Sequence, residues 1–289
     1  MKGNVAFLGS GLMGTPMILR LLSAGFVVRI WNRSQQKARR AVDAGALMCA
    51  TAADAVANAS HICLCLTDAN AVEDVLFGGG DLVSRLGGDA TIIDFSTIGP
   101  NATKAFAERL ARTAPGVRWI DAPVSGGVNG AESGELVIFC GGDERDVNQA
   151  KPILDPLAKR ICHLGPVGSG QAAKLCNQLI VAVNVVAIAE ALRLGRAQEL
   201  DLGALTDALA GGWADSLPLQ ILGSRMARNV FEPPLVALGT FAKDLDLVSE
   251  GAETRLPMVH LASAIYRKVI EEFGDRDATA LLTCLEKGR

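Results

Sequence analysis

The sequence has little of what several large classes of protein need. Among its 289 residues tyrosine occurs once and aromatic residues make up 4%, fewer than an all-β sandwich normally carries. Lysine and arginine number 28 against 31 aspartate and glutamate residues, so the basic excess typical of nucleic-acid-binding proteins is missing. With 49% hydrophobic and 20% charged residues, the composition predicts a soluble globular chain of one large or two ordinary domains.

Signals for metal binding, secretion and membrane insertion are also missing. The seven cysteines form no C-x-x-C pair and the three histidines show no H-x-x-x-H spacing, so no metal site is expected. The N-terminal apolar stretch is too short for a signal peptide, and the longest apolar segment, 179–192, is too short for a membrane span. We therefore expect a cytoplasmic protein with buried, reduced thiols and with neither membrane nor nucleic acid as a partner.

The first half of the chain alternates between two kinds of segment. Short apolar runs lie at 4–8, 26–31, 61–66, 90–95, 117–120, 136–140 and near 160–164, with helix-like stretches at 12–24, 35–44, 69–77, 101–112 and 143–157. This alternation predicts βαβ units around a parallel sheet, and the continuous apolar character of the strands indicates helices on both faces. After the glycine-rich segment 165–170 the periodicity becomes helical, so we predict two domains, residues 1–165 and 166–289.

One predicted helix, from residue 172 to about 199, is apolar on almost all of its sides. A helix of this kind is normally covered on every side. Because a small helical domain offers little to cover it, we expect a second copy of the chain to do so, in a homodimer or homotetramer. The alternative is that this helix is the centre of a monomeric bundle.

A glycine-rich motif follows the first predicted strand. Gly9, Gly11 and Gly14 form the pattern G-x-G-x-x-G where that strand leads into a helix, which is the context of a dinucleotide-binding loop. Gly9 would permit the tight turn, Gly11 the approach of a pyrophosphate and Gly14 the close packing of helix on strand. The helix N-terminus would offer N–H groups to the phosphates. The alternative is a glycine-rich turn without a ligand.

The residues after the second strand indicate which dinucleotide binds. An acidic residue there would hold the ribose 2′-hydroxyl of NAD, but the sequence has Asn32, Arg33 and Ser34 and no carboxylate before Asp43. These three side chains suit a 2′-phosphate, which favours NADP over NAD. Alternatively, Arg33 stacks on adenine and both cofactors are used.

Polar side chains also stand at other strand ends and on predicted helices. Ligands of open α/β sheets bind at the carboxyl ends of the strands, so we expect four residues there to contact the nicotinamide side of the cofactor. These four are Leu66, Thr67, Ser96 and Thr97. Ser125, Gly126 and Gly127 lie just past a predicted strand end, where a nest of N–H groups and a hydroxyl suits a carboxylate or a phosphate.

A polar cluster is predicted on the apolar helix. Lys174, Asn177 and Gln178 are spaced i, i+3 and i+4, which places them on one helix face. A lysine that is poorly solvated there would have a pKa lowered towards the range useful for proton transfer. The alternative is a lysine in an ion pair. In the same half, Trp213 follows a Gly-Gly break; we expect it to line the substrate pocket, or else to be a core or interface residue.

These motifs together resemble the β-hydroxyacid dehydrogenases, a family that includes 3-hydroxyisobutyrate dehydrogenase, tartronate semialdehyde reductase and glyoxylate or succinic semialdehyde reductases. The resemblance runs nearly the whole length, in the family's order. It is carried by loop 9–14 with Leu12 and Met13, by D-A-P-V-S-G-G at 121–127, by G-S-G-Q-A-A-K-L-C-N-Q at 168–178 and by K-D-L at 243–245. It implies a Rossmann-like N-terminal domain, an all-α C-terminal domain and an active site between them.

The resemblance also implies the chemistry, which is hydride transfer between NAD(P) and a 3-hydroxy acid or its semialdehyde. Segment 125–127 would bind the substrate carboxylate, Lys174 would be the general acid–base, and Asn177 would orient the substrate or the lysine. Lys243 would reach the nicotinamide or the carboxylate, with Asp244 paired to it. Gln178 stands where many members have asparagine, and Thr67 where proline is common, so the roles of these two are open.

Two other functions are considered. Imine reductases share the fold but usually lack the lysine, so Lys174 and the complete segment 125–127 argue against that activity. A dinucleotide-binding interaction module without catalysis is the second alternative. The retention of every expected polar group argues against it.

Overall fold

The fold is described from a computed structural model, for residues 3–79, 82–252 and 254–287. The chain divides into two compact units, residues 1–174 and residues 175–289. This division falls inside the helix that begins at Ser169, whereas the sequence placed the domain boundary before it, at residue 165. The first residues of the helix therefore pack with the first unit.

In the first unit, parallel strands form a sheet in the order β3-β2-β1-β4-β5-β6, the order of the dinucleotide-binding doubly wound fold. The strands are β1 (Asn4–Leu8), β2 (Val27–Trp31), β3 (Leu47–Met48), β4 (His61–Leu64), β5 (Thr91–Asp94) and β6 (Arg118–Asp121). The helices between them are α1 (Gly14–Ser23), α2 (Gln35–Asp43), α3 (Ala52–Val56), α4 (Ala69–Phe77) and α5 (Pro100–Thr113). The predicted α/β class and Rossmann-like topology are confirmed.

A second, three-stranded sheet follows the main one. Its strands are β7 (Val124–Ser125), β8 (Leu136–Cys140) and β9 (Ala158–His163), with α6 (Gly127–Ser133) and α7 (Glu144–Leu154) beside them. The strand β8 pairs with β7 antiparallel and with β9 parallel. The predicted strands at 136–140 and near 160 therefore exist but do not extend the main sheet. The elements β3, β7, α3 and α6, which the sequence did not predict, are too short for a hydrophobic period to show.

The main sheet is covered on both faces, as the apolar strands indicated. In β1, Val5 and Phe7 belong to the core that includes side chains of α1, whereas Ala6 and Leu8 belong to a core that includes side chains of α4 and α5. All four are at most 1% exposed. Burying side chains of the size of Val5, Phe7 and Leu8 stabilises a fold by roughly 1.5–3 kcal/mol each. Two-sided burial therefore fixes the sheet and, with it, the positions of the strand ends.

The second unit is helical, which confirms the predicted all-α class. After α8 (Ser169–Ala197) come α9 (Leu202–Leu209), α10 (Ser224–Ala227), α11 (Leu238–Gly251), α12 (Pro257–Phe273) and α13 (Leu281–Lys287). Side chains of α8 lie at the centre of its core, where the Tyr266 hydroxyl of α12 donates a hydrogen bond to the Ala182 carbonyl (2.8 Å). Ile180 and Leu194 of α8 are nevertheless 65% and 64% exposed. A single chain thus leaves part of this helix uncovered.

Among the described residues α8 is the one helix long and apolar enough to cross a membrane by length and composition, a test that a buried core helix also passes. All seven cysteines are free thiols, and the expectation that they are buried is corrected for three of them: Cys65 and Cys162 are half-buried and Cys176 is exposed. In the described part of the chain no three histidine, cysteine, aspartate or glutamate side chains cluster as metal ligands would.

Candidate active site

The predicted dinucleotide loop lies between β1 and α1 and depends on two of its glycines for its shape. Gly9 has a φ of +106°, and a Cβ there would stand 2.2 Å from the carbonyl oxygen of Cys65. A Cβ on Gly14 would stand 2.0 Å from the carbonyl oxygen of Gly9. At Gly11, by contrast, a Cβ would meet nothing within 4 Å. The middle glycine therefore serves no packing purpose in the chain itself and leaves its backbone accessible to a ligand.

The start of α1 suits an anion. The helix begins at Gly14, two residues later than predicted, and no side chain caps it or places a carboxylate in its first turn. Leu12 is 62% exposed and Met13 is half-buried beside this start. A helix N-terminus without an internal cap keeps its positive end for a phosphate. These residues fit a bound dinucleotide.

The end of β2 holds the loop in place and carries an exposed arginine. Asn32 Oδ1 accepts a hydrogen bond from the Ser10 N–H (3.0 Å), and its Nδ2 donates to the Ser34 carbonyl (2.7 Å). The amide of Asn32 therefore braces the loop, a use that the sequence did not predict. Arg33 and Ser34 are exposed. Over residues 3–79, 82–252 and 254–287 no hydrogen bond or ion pair engages the Arg33 side chain, and Ser34 does not cap α2.

The ends of β4 and β5 are joined by Ser96. Its Oγ accepts a hydrogen bond from the Leu66 N–H (2.9 Å), and the residue is 2% exposed. Thr97 beside it is half-buried, whereas Thr67 is exposed and its hydroxyl donates to Asp68 Oδ2 (2.9 Å). Parallel strands place Leu66 and Ser96 at the same edge of the sheet as loop 9–14.

Asp94 is a buried carboxyl group that the sequence reasoning missed. It ends β5, is 0% exposed, and its Oδ1 accepts a hydrogen bond from the Ser96 N–H (2.9 Å). Burial raises the pKa of Asp94 to about 7; its hydrogen bonds with Ser96 oppose the rise and the charge of Asp121 adds to it. The signal in the sequence was a carboxylate at the end of an otherwise apolar strand.

The start of α8 is fixed by two buried side chains that were quoted in motifs but given no role. Asp121 Oδ1 accepts a hydrogen bond from the Gly168 N–H (2.8 Å), and its Oδ2 from the Gln171 N–H (2.9 Å). Burial raises the pKa of the Asp121 carboxyl, and these N–H groups oppose the rise. Gln171 is itself 0% exposed and bonds to the loop after β5.

The structure brings Lys174 to the predicted carboxylate-binding segment. Lys174 is 8% exposed and its Nζ donates a hydrogen bond to the Val124 carbonyl oxygen (2.8 Å), next to Ser125. Ser125 lies just past the end of β6, as predicted, and itself ends the short strand β7. Gly126 and Gly127, both exposed, have φ values of +128° and +62° and lead into α6. A Cβ on Gly127 would meet nothing within 4 Å, so the space beside this residue is open.

In the second unit, four of the predicted site residues form one hydrogen-bonded chain. Asn177 Nδ2 donates to Gln178 Oε1 (2.9 Å), Gln178 Nε2 donates to Asp244 Oδ2, and Lys243 Nζ lies 3.2 Å from Asp244 Oδ1. Gln178 and Asp244 are buried, at 7% and 2% exposed. Gln178 thus links the side chain of Asn177 to that of Asp244. Trp213 stands apart at 108% exposed, which rules out a core position for it and leaves its pocket role a prediction.

Comparison with known proteins gives two family matches that together span most of the chain. Residues 4–165 match the NAD-binding domain of 6-phosphogluconate dehydrogenase. Residues 168–285 match the NAD-binding domain of NADP-dependent 3-hydroxyisobutyrate dehydrogenase. These ranges meet in the glycine-rich segment where the sequence changes character.

Relatives match over almost their whole length. The chain is 34% identical to 2-hydroxy-3-oxopropionate reductase of Escherichia coli, covering 98% of this chain and 97% of that one, and 32% identical to NAD-dependent L-serine dehydrogenase of Pseudomonas aeruginosa, covering 95% of each. A solved structure of Mycobacterium tuberculosis 3-hydroxyisobutyrate dehydrogenase with L-serine covers 99% of both chains, with 31% identity and a TM-score of 0.87. An imine reductase of a Pseudomonas species shares the fold at 20% identity and a TM-score of 0.65.

The loop geometry predicts that two glycine-to-alanine changes affect different properties, the stability of the fold and the binding of the dinucleotide. Gly9→Ala should lower the free energy of unfolding by about 2–4 kcal/mol, because it combines a positive φ with a backbone clash. Gly11→Ala should change it by less than about 0.5 kcal/mol, because its Cβ enters open space, yet weaken dinucleotide binding. Urea unfolding and fluorescence titration with NADPH measure the two effects. Equal destabilisation by both changes would contradict this division.

Asp94 should make stability depend on pH. Its folded-state pKa of about 7 lies above the ordinary aspartate value of 3.8, so between these values the folded protein holds a proton that the unfolded chain has lost, and stability falls as pH rises through this range. The free energy of unfolding of Asp94→Asn, measured relative to that of the unsubstituted protein, should therefore rise by about 2 kcal/mol from pH 5 to pH 8. Urea unfolding at both pH values measures this.

A suitable control for that experiment is Asp143→Asn. Hydrogen bonds from Arg145 lower the pKa of Asp143, so this group is ionised throughout the same pH range in both folded and unfolded chains. Its substitution should shift stability equally at pH 5 and pH 8. If the effect of Asp94→Asn on the free energy of unfolding is also the same at pH 5 and pH 8, Asp94 is not the titrating group.

Proposed function

The chain belongs to the β-hydroxyacid dehydrogenase family, and from this premise we propose that it interconverts a small β-hydroxy carboxylate and the corresponding semialdehyde, with NADP preferred over NAD. Membership makes it an NAD(P)-dependent oxidoreductase of hydroxy acids. The observation that supports the proposed reaction is the position of Lys174. It is a buried lysine whose Nζ lies 2.8 Å from the Val124 carbonyl, next to a glycine nest.

We propose that segment 125–127 binds the substrate carboxylate. Gly126 and Gly127 have positive φ values and carry no side chain over their N–H groups, and the hydroxyl of Ser125 is a further hydrogen-bond donor. We propose that these three groups donate to the carboxylate, which is then bound without a fixed positive charge. A substrate held there has its β-carbon within reach of the neighbouring lysine.

Lys174 is the proposed general acid–base. In oxidation its neutral amine takes the proton of the substrate hydroxyl, and in reduction its ammonium returns a proton to the carbonyl oxygen. A bound nicotinamide nucleotide supplies the hydride acceptor or donor. The Val124 carbonyl orients Nζ, and a positioned proton donor of this kind contributes roughly 10²–10⁴-fold to the rate. We propose that Asn177, Gln178, Lys243 and Trp213 contact or orient the substrate.

The proposed cofactor site lies at the carboxyl edge of the main sheet. Loop 9–14 would hold the pyrophosphate, and Arg33 with Ser34 the 2′-phosphate of NADP. Asn32 assists by bracing the loop. The proposed nicotinamide-side contacts are Leu66, Thr67, Ser96, Thr97, Lys243 and Asp244. NAD remains the second candidate cofactor, and the name of one relative, NAD-dependent L-serine dehydrogenase, shows that such a dependence occurs among similar proteins.

The setting of the enzyme is also part of the proposal. We propose a cytoplasmic homodimer or homotetramer with a small carboxylate as its partner and neither nucleic acid nor membrane. The apolar side chains that α8 exposes, Ile180 and Leu194, support a second copy as cover. We further propose that the functional domain boundary lies near residue 165, where the two family matches meet.

The two alternatives are weaker. The imine reductase similarity lies below 25% identity and so concerns the fold alone. A non-catalytic dinucleotide-binding module would have no need of a buried lysine beside a carboxylate nest. Buried charged groups are costly and are kept where they act.

Lys174→Ala should lower kcat by about 10³-fold while NADPH still binds, because the acid–base group is lost and loop 9–14 is untouched. The assay is nicotinamide absorbance, with NADP and NAD against 3-hydroxy acids and β-hydroxy amino acids, and with NADPH and NADH against semialdehydes. Added methylamine should restore part of the rate. Lys268→Ala, at an exposed lysine of α12, is the control.

A near-normal kcat in Lys174→Ala would remove the lysine from the mechanism. Turnover of cyclic imines with none on any hydroxy acid would establish the first alternative. NADPH binding without any turnover would establish the second.

Arg33→Asp should reverse the cofactor preference. The change removes a charge-assisted bond to the 2′-phosphate and supplies a carboxylate for the 2′-hydroxyl, so the NADP/NAD ratio of kcat/KM should fall roughly 100-fold. Arg39→Asp removes another exposed positive charge, from neighbouring α2, and should leave the ratio unchanged. An unchanged ratio in Arg33→Asp would refute the 2′-phosphate assignment.

A further inference from the structure

We propose that Gln171 is a positioning residue that ties the helix bearing Lys174 to the loop bearing Ser96 and Thr97. The inference rests on the proposed function, since it presumes that Lys174 transfers the proton and that the loop faces the cofactor. If this is so, one buried amide fixes the distance between Lys174, the proposed proton-transfer group, and the loop 96–99, which is proposed to face the nicotinamide.

The side-chain amide of Gln171 bonds to three backbone groups of the loop that follows β5. Its Oε1 accepts hydrogen bonds from the N–H groups of Ile98 and Gly99 (both 3.1 Å), and its Nε2 donates to the Ser96 carbonyl (2.8 Å). Gln171 is 0% exposed and Ile98 is 2% exposed. Water therefore does not replace these bonds easily, and a buried polar group left without a partner is costly.

The backbone of Gln171, at the start of α8, is also held in place. The Gln171 N–H donates to Asp121 Oδ2 (2.9 Å), so its backbone is held at the end of β6. The neighbouring Gly170 lies so close to the strands that a Cβ there would stand 2.3 Å from the Phe139 carbonyl oxygen. The first turn of α8 is therefore held to the strands by hydrogen bonds and by close packing.

Lys174 follows Gln171 by one helical turn, on the same helix face. Its Nζ donates a hydrogen bond to the Val124 carbonyl, 2.8 Å away, from a helix whose first turn is bonded to Asp121 and, through Gln171, to the loop after β5. Loss of the amide would release loop 96–99 from the helix without removing any group that touches substrate. A misplacement of about 1 Å costs on the order of 100-fold in rate.

Two variants test this role. Gln171→Met keeps the length of the side chain and removes all three bonds. Gln171→Glu keeps the acceptor oxygen but, when ionised, places a charge against the Ser96 carbonyl; when protonated, it reproduces all three bonds. Tyr266→Phe is the control, because it removes a buried hydrogen bond from the second unit, to the Ala182 carbonyl.

The measurements are kcat, KM, the Kd for NADPH, and hydrogen–deuterium exchange of peptides covering residues 95–100 and 169–175. For Gln171→Met we expect kcat to fall about 100-fold, the Kd for NADPH to change less than about threefold, and exchange to rise in both peptides. For Gln171→Glu we expect kcat, divided by that of the unsubstituted enzyme at the same pH, to rise about tenfold from pH 8 to pH 5.5. The division corrects for the titration of groups that both proteins contain, Asp94 and Asp121 among them.

The outcomes separate this inference from the proposed function. An unsubstituted enzyme that turns over no substrate overturns the proposed function. An active enzyme whose Gln171→Met variant keeps kcat within about threefold, or loses no more than Tyr266→Phe does, overturns only the role of Gln171. If Gln171→Met does not fold, the pH dependence of Gln171→Glu decides: a constant ratio overturns the inference.

Discussion

The site in the first unit depends on a carboxylate that caps a helix from another element. Asp121, at the end of β6, accepts the N–H groups of Gly168 and Gln171 at the start of α8. Burying this carboxylate is unfavourable, as its raised pKa indicates, and the charge-assisted bonds to the N–H groups offset that cost. The result is a long helix whose first turn is fixed to the sheet. Lys174 lies one turn further along this helix, and its proposed role in proton transfer requires such a fixed position.

The same edge of the sheet gathers the other groups because parallel strands all end there. Loop 9–14 follows β1, Leu66 follows β4, and Ser96 follows β5 and bonds to Leu66. Two-sided burial of β1 fixes the strand positions, and the absence of side chains at Gly9 and Gly14 allows the loop to pass close to its neighbours. The proposed chemistry would therefore rest on main-chain geometry that the core determines, with the terminal atoms of a few side chains added to it.

Much of this was predictable from the sequence, for identifiable reasons. Strong apolar runs gave the main strands and long helices, and the G-x-G-x-x-G motif gave the loop. The two-residue strands β3 and β7 carry no period, so the second sheet was missed. The roles of Asp121 and Gln171 depend on partners 47 to 75 residues away, which no local pattern reveals. The exposure of Trp213 and of part of α8 likewise depends on how helices pack, not on the composition of one segment.

Burial separates the residues proposed for chemistry from those proposed for selectivity. Lys174, Gln178 and Asp244 are nearly inaccessible and held by hydrogen bonds, whereas Arg33 and Trp213 are exposed. Proton transfer requires a fixed geometry, which burial in a packed core provides. Recognition of a 2′-phosphate or of a substrate side chain tolerates a long or exposed group that orders on binding, and such positions can change without disturbing the core. One scaffold can therefore keep its reaction while its substrate and cofactor preference vary, and for that reason the chemistry of this chain is better determined by its sequence than its substrate is.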